Sequence, residues 1–308
     1  MGLFHCPMGA AYHDDEPCID CGLCSATTRQ EMVEASKRIR DYLRSHAEKR
    51  KGPSKKIAIC GKGGTGKSTI VALMTNALRE AGYLVLVMDT DESNPGLYRM
   101  LGFDQQPRPL MSLLDRYSLG EMKPETQWLN QDEISIQDIP HRYLLEYDNL
   151  RFLMIGKITD PFQGCACSMA DIARGFIEKL VLKDKEIVLI DMEAGIESFG
   201  RGVERGVDTV LVAVEPSFES LALAEKIIYM ADGIGVNKVG AIPNKVPSEK
   251  IEKRITDELE NKKIKVIGTI YFDDQINEAS LEGGALLGNS NAEEAIKKII
   301  RLLFVESW

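Results

Sequence analysis

The sequence lacks any run of about twenty consecutive apolar residues, the length that a membrane-spanning helix needs. Its start, Met1 to Cys6, also lacks the charged and then apolar order of a secretory signal. No internal repeat and no low-complexity tract occurs along the chain. We therefore expect a cytoplasmic protein with no membrane partner.

The sequence also has fewer positive than negative side chains, with 38 Lys and Arg residues against 47 Asp and Glu residues, which gives a net charge of -9. A chain of this charge is repelled by phosphate backbones, which disfavours a nucleic-acid partner. The seven cysteines would stay reduced in the cytosol, and six of them lie in two clusters, which indicates metal binding rather than disulfides. Cys60 stands alone in an apolar run and is interpreted as a small buried hydrophobe.

The length of 308 residues and the 44% hydrophobic content allow one large core and one small appended module. Residues 1–29 are rich in Cys, Gly and Pro and would need a metal to fold. Residues 30–50 carry apolar side chains at helical spacing before a charged, Pro-containing break. The sequence therefore predicts a metal module with an amphipathic helix at 1–52 and a large domain at 53–308. The helix positions are Met32, Ala35, Ile39 and Tyr42.

The large domain alternates short β-rich runs with helical segments. This order predicts an α/β fold with a doubly wound, mostly parallel sheet, and strands that are apolar throughout fit burial on both faces. Residues 105–149 give no readable pattern. The C-terminal segment 292–305 is helical and is expected to cover the sheet, the alternative being a membrane-surface helix. The predicted strands are 56–60, 84–88, 150–155, 187–190, 209–214, 239–242 and 265–270.

A phosphate-binding loop follows the first of these strands and precedes a helix. It matches G-x-x-x-x-G-K-[ST], so its backbone N–H groups are expected to hold phosphate, with Lys67 on the β- and γ-phosphates and Ser68 on Mg²⁺. The protein is accordingly predicted to be a Mg²⁺-dependent ATPase. Thr69 is included among the nucleotide-binding residues. The loop residues are Gly61, Lys62, Gly63, Gly64, Thr65, Gly66, Lys67 and Ser68.

A second lysine, Lys62, stands directly after the first glycine of this loop. The resulting Lys-Gly-Gly-Thr-Gly-Lys-Ser resembles the deviant Walker A motif of the MinD, ArsA and nitrogenase iron-protein class. In that class the early lysine reaches the partner's phosphates across an ATP-bound dimer. The resemblance therefore implies a homodimer and a catalytic role for Lys62.

Two acidic segments follow strands at the edge where ligands of a doubly wound sheet collect. One carboxylate there should hold the Mg²⁺ shell and another should orient the attacking water. Resemblance to the class assigns Asp191 to the metal and Asp91 to the water, with Asp89 supporting the loop and Gly195 donating its N–H to the γ-phosphate. The segments are Asp89 to Asn94 and Asp191 to Gly195.

Asn244 follows the predicted strand 239–242, where this class often places an adenine-contacting Asn. The alternative is that Asn244 is only a turn residue.

Cys165 and Cys167 lie one residue apart, before a helical segment that is expected to begin near Met169. Two such thiols cannot fill a four-coordinate site, so one chain offers half a site and a two-fold dimer would complete it. The predicted ion is Ni²⁺ or Zn²⁺. Two unliganded loop thiols are the alternative.

With these cysteines in place the chain resembles the carbon monoxide dehydrogenase accessory ATPases, which mature nickel enzymes. The resemblance covers roughly residues 55–290. It implies that ATP drives a rearrangement of the dimer while the C-x-C pair carries Ni²⁺ to a client of carbon monoxide dehydrogenase or acetyl-CoA synthase type. The segments that carry it are Gly61 to Ser68, Asp89 to Leu97, Gly164 to Cys167, and Asp191 to Gly202.

The N-terminus departs from that family. Cys18, Cys21 and Cys24 have the C-x₂-C-x₂-C spacing of bacterial ferredoxins, and Cys6 before a proline resembles their remaining ligand. A [4Fe–4S] cluster is the leading interpretation, structural Zn²⁺ is the second, and His5 or His13 can replace one sulfur.

This extension suggests an alternative function, ATP-gated electron transfer as in the nitrogenase iron protein, with Cys165 or Cys167 on a dimer-bridging cluster. A positioning ATPase without metal cargo is ranked last, because it would leave both cysteine clusters unexplained.

Overall fold

The computed structural model describes residues 25–47, 55–94, 96–113, 128–157, 166–236, 238–286 and 290–305. The described chain contains one seven-stranded sheet of order β3-β4-β2-β5-β1-β6-β7, in which β3 runs antiparallel to β4 and the other neighbours are parallel. This confirms the predicted doubly wound, mostly parallel α/β sheet. The strands are β1 (Lys56–Gly61), β2 (Leu84–Asp89), β3 (Leu144–Tyr147), β4 (Leu150–Met154), β5 (Glu186–Asp191), β6 (Thr209–Val214) and β7 (Lys238–Pro243).

Helices cover both faces of the sheet. In the described ranges they are α1 (Arg29–Ala47), α2 (Lys67–Glu80), α3 (Leu97–Met100), α4 (Ala166–Lys179), α5 (Glu197–Arg201), α6 (Phe218–Gly233), α7 (Glu249–Asn261), α8 (Asp274–Glu282) and α9 (Asn291–Val305). None of the helices in these ranges is long and apolar enough to cross a membrane.

The alternation of side chains along each strand divides the interior into two cores. On β1, Ile57 and Ile59 belong to the core beneath α2 and α9, whereas Ala58 and Cys60 belong to the core beneath α4 and α6. Successive side chains of a strand point to opposite faces, so a strand buried on both faces must be apolar at every position. Cys60 is 1% exposed, which confirms its interpretation as a buried hydrophobe.

The predicted strand at 265–270 is wrong, although its backbone runs beside β7. Ala241 N–H donates to the Lys265 carbonyl (2.8 Å), and Ile267 N–H donates to the Ala241 carbonyl (2.9 Å). Pro243 has no N–H to continue this pattern, so the pairing remains a set of isolated bridges. The unreadable stretch 105–149 contributes one strand that the sequence analysis missed, the four-residue edge strand β3.

The two terminal helices have different surroundings. The apolar face of α9 is buried against α2, which confirms that this helix covers the sheet. Helix α1 contacts α6 and buries Ala35, whereas Met32 is 40% exposed. The predicted domain boundary stays a prediction, because residues 48–54 lie outside the described ranges.

Candidate nucleotide-binding site

The strand order brings the predicted nucleotide-binding segments together. Strands β2, β5 and β1 are neighbours and parallel, so their carboxyl ends meet at one edge of the sheet. In the register of this sheet Asp191 is paired with Ile59 on one side and with Asp89 on the other. The phosphate-binding loop and both acidic segments therefore share one site, as expected for a doubly wound sheet.

The loop Gly61–Ser68 connects β1 to α2, whose first residue is Lys67. Its carbonyl groups are bound by donors from elsewhere in the site: Gly195 N–H on Gly61 (3.2 Å), Lys245 Nζ on Gly64 (2.8 Å) and Asn244 Nδ2 on Thr65 (2.7 Å). The Thr65 hydroxyl binds the Lys62 carbonyl within the loop (2.8 Å). These bonds fix the outer side of the loop, while the start of α2 supplies N–H groups and a positive dipole end that favour phosphate.

Gly66 must be glycine for two separate reasons. Its φ of 88° lies in the left-handed region, and a Cβ at this position would lie 2.5 Å from Asn244 Nδ2. Gly82 offers a comparison, since its φ is 81° but a Cβ there would meet nothing within 4 Å.

We therefore expect Gly66→Ala and Gly82→Ala each to lower the free energy of unfolding by about 1–2 kcal/mol, the cost of left-handed backbone at a non-glycine residue. Only Gly66→Ala should also weaken ATP binding, by about tenfold, because Asn244 must release the Thr65 carbonyl. Thermal denaturation and titration calorimetry measure the two effects. Equal ATP affinities in the two variants would contradict this account.

Ser68, Asp191 and Asn94 form the candidate Mg²⁺ site. Ser68 Oγ donates to Asp191 Oδ2 (2.5 Å), and Asn94 Nδ2 donates to Ser68 Oγ (2.6 Å). Asp191 is fully buried, and its Oδ1 has no hydrogen-bond partner in the described part of the chain. Burial raises the pKa of Asp191 to about 6, although the Ser68 hydrogen bond and the charge of Lys67 oppose the rise. A buried carboxylate oxygen without a partner, beside a hydroxyl, fits a hard divalent cation.

The described ranges contain no group of three or more His, Cys, Asp or Glu side chains that could hold an ion. A Mg²⁺ held by Ser68 and Asp191 would take its remaining ligands from water and nucleotide phosphates.

Asp89 and Asp91 are joined by a buried lysine. Lys157 Nζ lies 2.7 Å from Asp89 Oδ2 and also donates to the Asp91 carbonyl. Burial raises the pKa of Asp89 to about 7, against the opposing charge of Lys157. The Asp91 carboxylate accepts from the backbone N–H groups of Ser93 (2.9 Å) and Asn94 (3.2 Å) and from Ser93 Oγ (2.6 Å). Asp91 is 4% exposed, so its predicted role would be performed inside a fixed turn.

Two groups that were predicted to contact phosphate, the Lys62 side chain and the Gly195 N–H, bind other groups of the same chain in this structure. Lys62 Nζ pairs with Glu215 Oε1 at 3.0 Å, and the two side chains are 39% and 25% exposed. Such a partly exposed pair contributes only ~0–1 kcal/mol, so Lys62 can exchange this partner for another. Gly195 N–H donates to the Gly61 carbonyl and would have to turn away from it to reach a γ-phosphate.

A cleft of about 170 Å³ opens beside the loop. Thr69 and Asn244, both predicted to bind nucleotide, line it, although the Asn244 amide also bonds to the loop as described above. Its other walls combine apolar side chains, among them Ile70, Leu73 and Ile276, with polar ones, among them Asp273, Asn277 and Ser280.

Of the cysteines that were predicted to bind metal, the structure describes only Cys167. Cys6, Cys18, Cys21, Cys24 and Cys165 lie outside the described residues, as do His5 and His13. Helix α4 begins at Ala166, earlier than the predicted start near Met169, so Cys167 lies in its first turn.

Several residues of the site were missed by the sequence analysis, or named without a role. Asn94 and Glu215 follow β2 and β6 at the ligand-binding edge, a position that is a usable signal in an open α/β sheet. Lys157 follows β4 at the same edge, and Lys245 follows Asn244. A single lysine after a strand is weak evidence by itself, and only the packing shows that Lys157 joins Asp89 to Asp91.

Comparison with known proteins agrees with this geometry. Residues 56–286 match the model of the CobQ/CobB/MinD/ParA nucleotide binding domain. An uncharacterized ATP-binding protein of Methanocaldococcus jannaschii is 42% identical over 255 residues, which cover 80% of this chain and 99% of that protein. The carbon monoxide dehydrogenase accessory protein CooC of Rhodospirillum rubrum is 32% identical over 235 residues, which cover 74% of this chain and 88% of CooC.

Among solved structures, the septum site-determining protein MinD of Pyrococcus horikoshii, complexed with Mg-ADP, superposes with a TM-score of 0.57. Its sequence is 19% identical, and the match covers 80% of this chain and 93% of MinD. At this identity the likeness shows a shared fold.

Proposed function

Because this chain belongs to the CobQ/CobB/MinD/ParA nucleotide-binding family and is an ATPase, we propose that it is an ATP-dependent metallocentre maturation factor. In this proposal a homodimer binds nickel through Cys165 and Cys167 and delivers it to a client nickel–iron–sulfur enzyme of the carbon monoxide dehydrogenase or acetyl-CoA synthase type. The protein acts in the cytoplasm, where thiolate ligands stay reduced.

The observation that carries the proposal is that α4, whose first turn contains Cys167, begins beside the acidic loop of the ATPase site. Met169 and Ala170 in the first turns of α4 line the same small cavity as Thr90 and Glu92 of that loop. The half-site proposed at Cys165 and Cys167 would then adjoin the acidic loop, which is proposed to respond to the γ-phosphate. The 32% identity to a protein named as a carbon monoxide dehydrogenase accessory protein supports the same proposal.

ATP would bind with its phosphates in the Gly61–Ser68 loop and its base in the cleft lined by Thr69 and Asn244. Lys67 holds the transferred phosphoryl group, whose charge spreads over its oxygens in the transition state. Ser68 and Asp191 would hold Mg²⁺, which neutralises charge on the β- and γ-phosphates when bound. Asp91 orients the attacking water from its fixed turn.

The dimer would form when Lys62 leaves Glu215 and reaches the partner's phosphates. Each chain then contributes Cys165 and Cys167, so the two-fold axis brings four thiolates together. Four soft donors satisfy Ni²⁺ in a square-planar site or Zn²⁺ in a tetrahedral one. A change in dimer geometry on hydrolysis would separate the two half-sites and release the ion.

The test is metal stoichiometry. We expect one Ni²⁺ per two chains when a non-hydrolysable ATP analogue and Mg²⁺ hold the dimer together. The protein used has its N-terminal cysteines Cys18, Cys21 and Cys24 replaced by serine, because their thiolates also bind metal. Cys165→Ser/Cys167→Ser in that background should lose the ion and keep ATP hydrolysis. Equilibrium dialysis with metal analysis measures the bound nickel, and phosphate release measures ATP hydrolysis. Cys60→Ala is the matched control, since this buried thiol lies in the core and should leave nickel binding intact.

Other results would decide between the alternatives. One ion per chain that survives the double substitution would refute the shared site. Iron and sulfide at Cys165 and Cys167 would favour ATP-gated electron transfer. In the unsubstituted protein, iron with visible charge-transfer absorption would identify the N-terminal centre as iron–sulfur, whereas colourless protein with zinc would identify it as structural.

A further inference from the structure

Lys157 is a buried charge that the functions described so far do not use. It follows β4 by three residues, and its side chain is only 8% exposed. A lysine is rarely buried without a partner, because removing its ammonium group from water is costly. The partners of Lys157 therefore indicate what holds it in place.

Those partners lie on both sides of one residue, Asp91. The Lys157 ammonium group donates to the Asp91 carbonyl and pairs with Asp89 Oδ2 at 2.7 Å. The other oxygen of Asp89, Oδ1, accepts the Asp91 N–H at 3.1 Å. Lys157 and Asp89 together thus fix the carbonyl and the N–H of Asp91, and with them the position of its side chain.

The segment that carries Lys157 also contacts the helix of the cysteine pair. A Cβ at Gly156 would lie 3.0 Å from the Met169 sulfur and 3.1 Å from Met111 Cβ, so the backbone here packs closely on α4. Met169 lies in the first turn of α4, two residues after Cys167. One short stretch of backbone therefore connects the Asp91 turn with the start of this helix.

We propose that Lys157 is a positioning residue that holds Asp91 for water activation and couples the Asp91 turn to the start of α4. The first part rests on the ATPase activity and on the proposed role of Asp91 in orienting the attacking water. The second part rests on the proposed metal function in one respect: metal delivery is the process that the coupling would serve.

Lys157→Met keeps the length of the side chain and removes its charge and donors. We expect it to lower kcat for ATP hydrolysis by about a hundredfold, since a displaced catalytic group costs that much, with KM for ATP nearly unchanged. Lys157→Arg should restore part of the loss, because it keeps the charge. Lys179→Met removes a lysine at the last residue of α4 that is bound to the Leu129 carbonyl (3.3 Å), and it should leave kcat unchanged.

A second comparison separates positioning from a general structural role. If Lys157 acts through Asp91, then Lys157→Met should have no further effect on the hydrolysis rate in an Asp91→Ala background. This rate is followed in single-turnover reactions with radiolabelled ATP, which resolve rates too slow for a phosphate-release assay. Additive losses would overturn the proposal, and so would an unchanged kcat in the single variant. Should Lys157→Met fail to fold because Asp89 is left unpaired, Asp89→Asn/Lys157→Met removes both charges and should still show the low kcat.

The coupling to α4 has its own measurement, the alkylation rate of Cys167 followed by mass spectrometry. In metal-free protein we expect this rate to differ by about fivefold or more between ATP-bound and ADP-bound states, a typical size for coupled sites. The difference should vanish in Lys157→Met with ATP still bound. A rate that ignores nucleotide in the wild type would overturn the coupling, while the nickel stoichiometry would still test metal delivery separately.

Discussion

Replacing Lys67 with alanine is expected to abolish measurable Mg²⁺-dependent ATP hydrolysis. Lys67 begins α2, is 6% exposed, and lies close enough to the buried Asp191 to oppose the rise in its pKa. Removing one such preorganised donor from a water-excluded site costs about 10²–10³ in kcat. Because ATPases that act as switches turn over slowly to begin with, this loss would fall below detection in a phosphate-release assay.

Lys262→Ala is the control for this experiment. Lys262 pairs with Glu225 on the surface, where both side chains are partly exposed, so its loss should change neither stability nor rate appreciably. Titration calorimetry of the wild type with ATP shows whether the site is occupied at all. A wild-type protein that bound no ATP, or a Lys67→Ala variant of unchanged kcat, would refute the assigned phosphate site.

Replacing Asp91 with alanine is expected to slow hydrolysis by about 10²–10⁴-fold, the usual contribution of a group that assists proton transfer. With ATP and Mg²⁺ present, the unhydrolysed nucleotide should then trap a homodimer. Light scattering should show the mass rise from 34.3 kDa to twice that value. ADP should leave the mass at that of one chain, since it has no γ-phosphate to recruit the partner.

Adding Lys62→Ala to the Asp91→Ala background should weaken this dimer and leave ATP affinity largely intact. The reason is that Lys62 pairs with Glu215 in the single chain, so it is not needed to hold the chain's own nucleotide. Lys262→Ala in the same background is the matched control and should keep the dimer. A mass that does not respond to ATP in Asp91→Ala would remove the support for a nucleotide-dependent dimer, and the shared nickel site would fall with it.

Much of the site was predictable because its chemistry is local in sequence. The phosphate-binding loop needs glycines at fixed offsets, a lysine and a hydroxyl, and the structure places them between β1 and α2 as expected. The buried strands were predictable because a strand covered on both faces must be apolar throughout. The segment 265–270 is also rich in β-branched residues, but it lies at the edge beside β7, where Pro243 interrupts the pairing. Composition alone does not show this.

The sequence by itself determined the doubly wound fold class and the ATPase chemistry. It also predicted that the acidic segments after two strands lie near the phosphate-binding loop. Each of these depends on residue type and local spacing. Only the tertiary structure decided which side chains touch. In the folded chain Lys62 pairs with Glu215, Asn244 bonds to the Thr65 carbonyl, and Lys157 bonds to the turn of Asp91. Lys157 lies 66 residues from Asp91 along the chain. Contacts of that kind follow from the strand order, which sets β4 beside β2, and no local pattern of residues encodes that order.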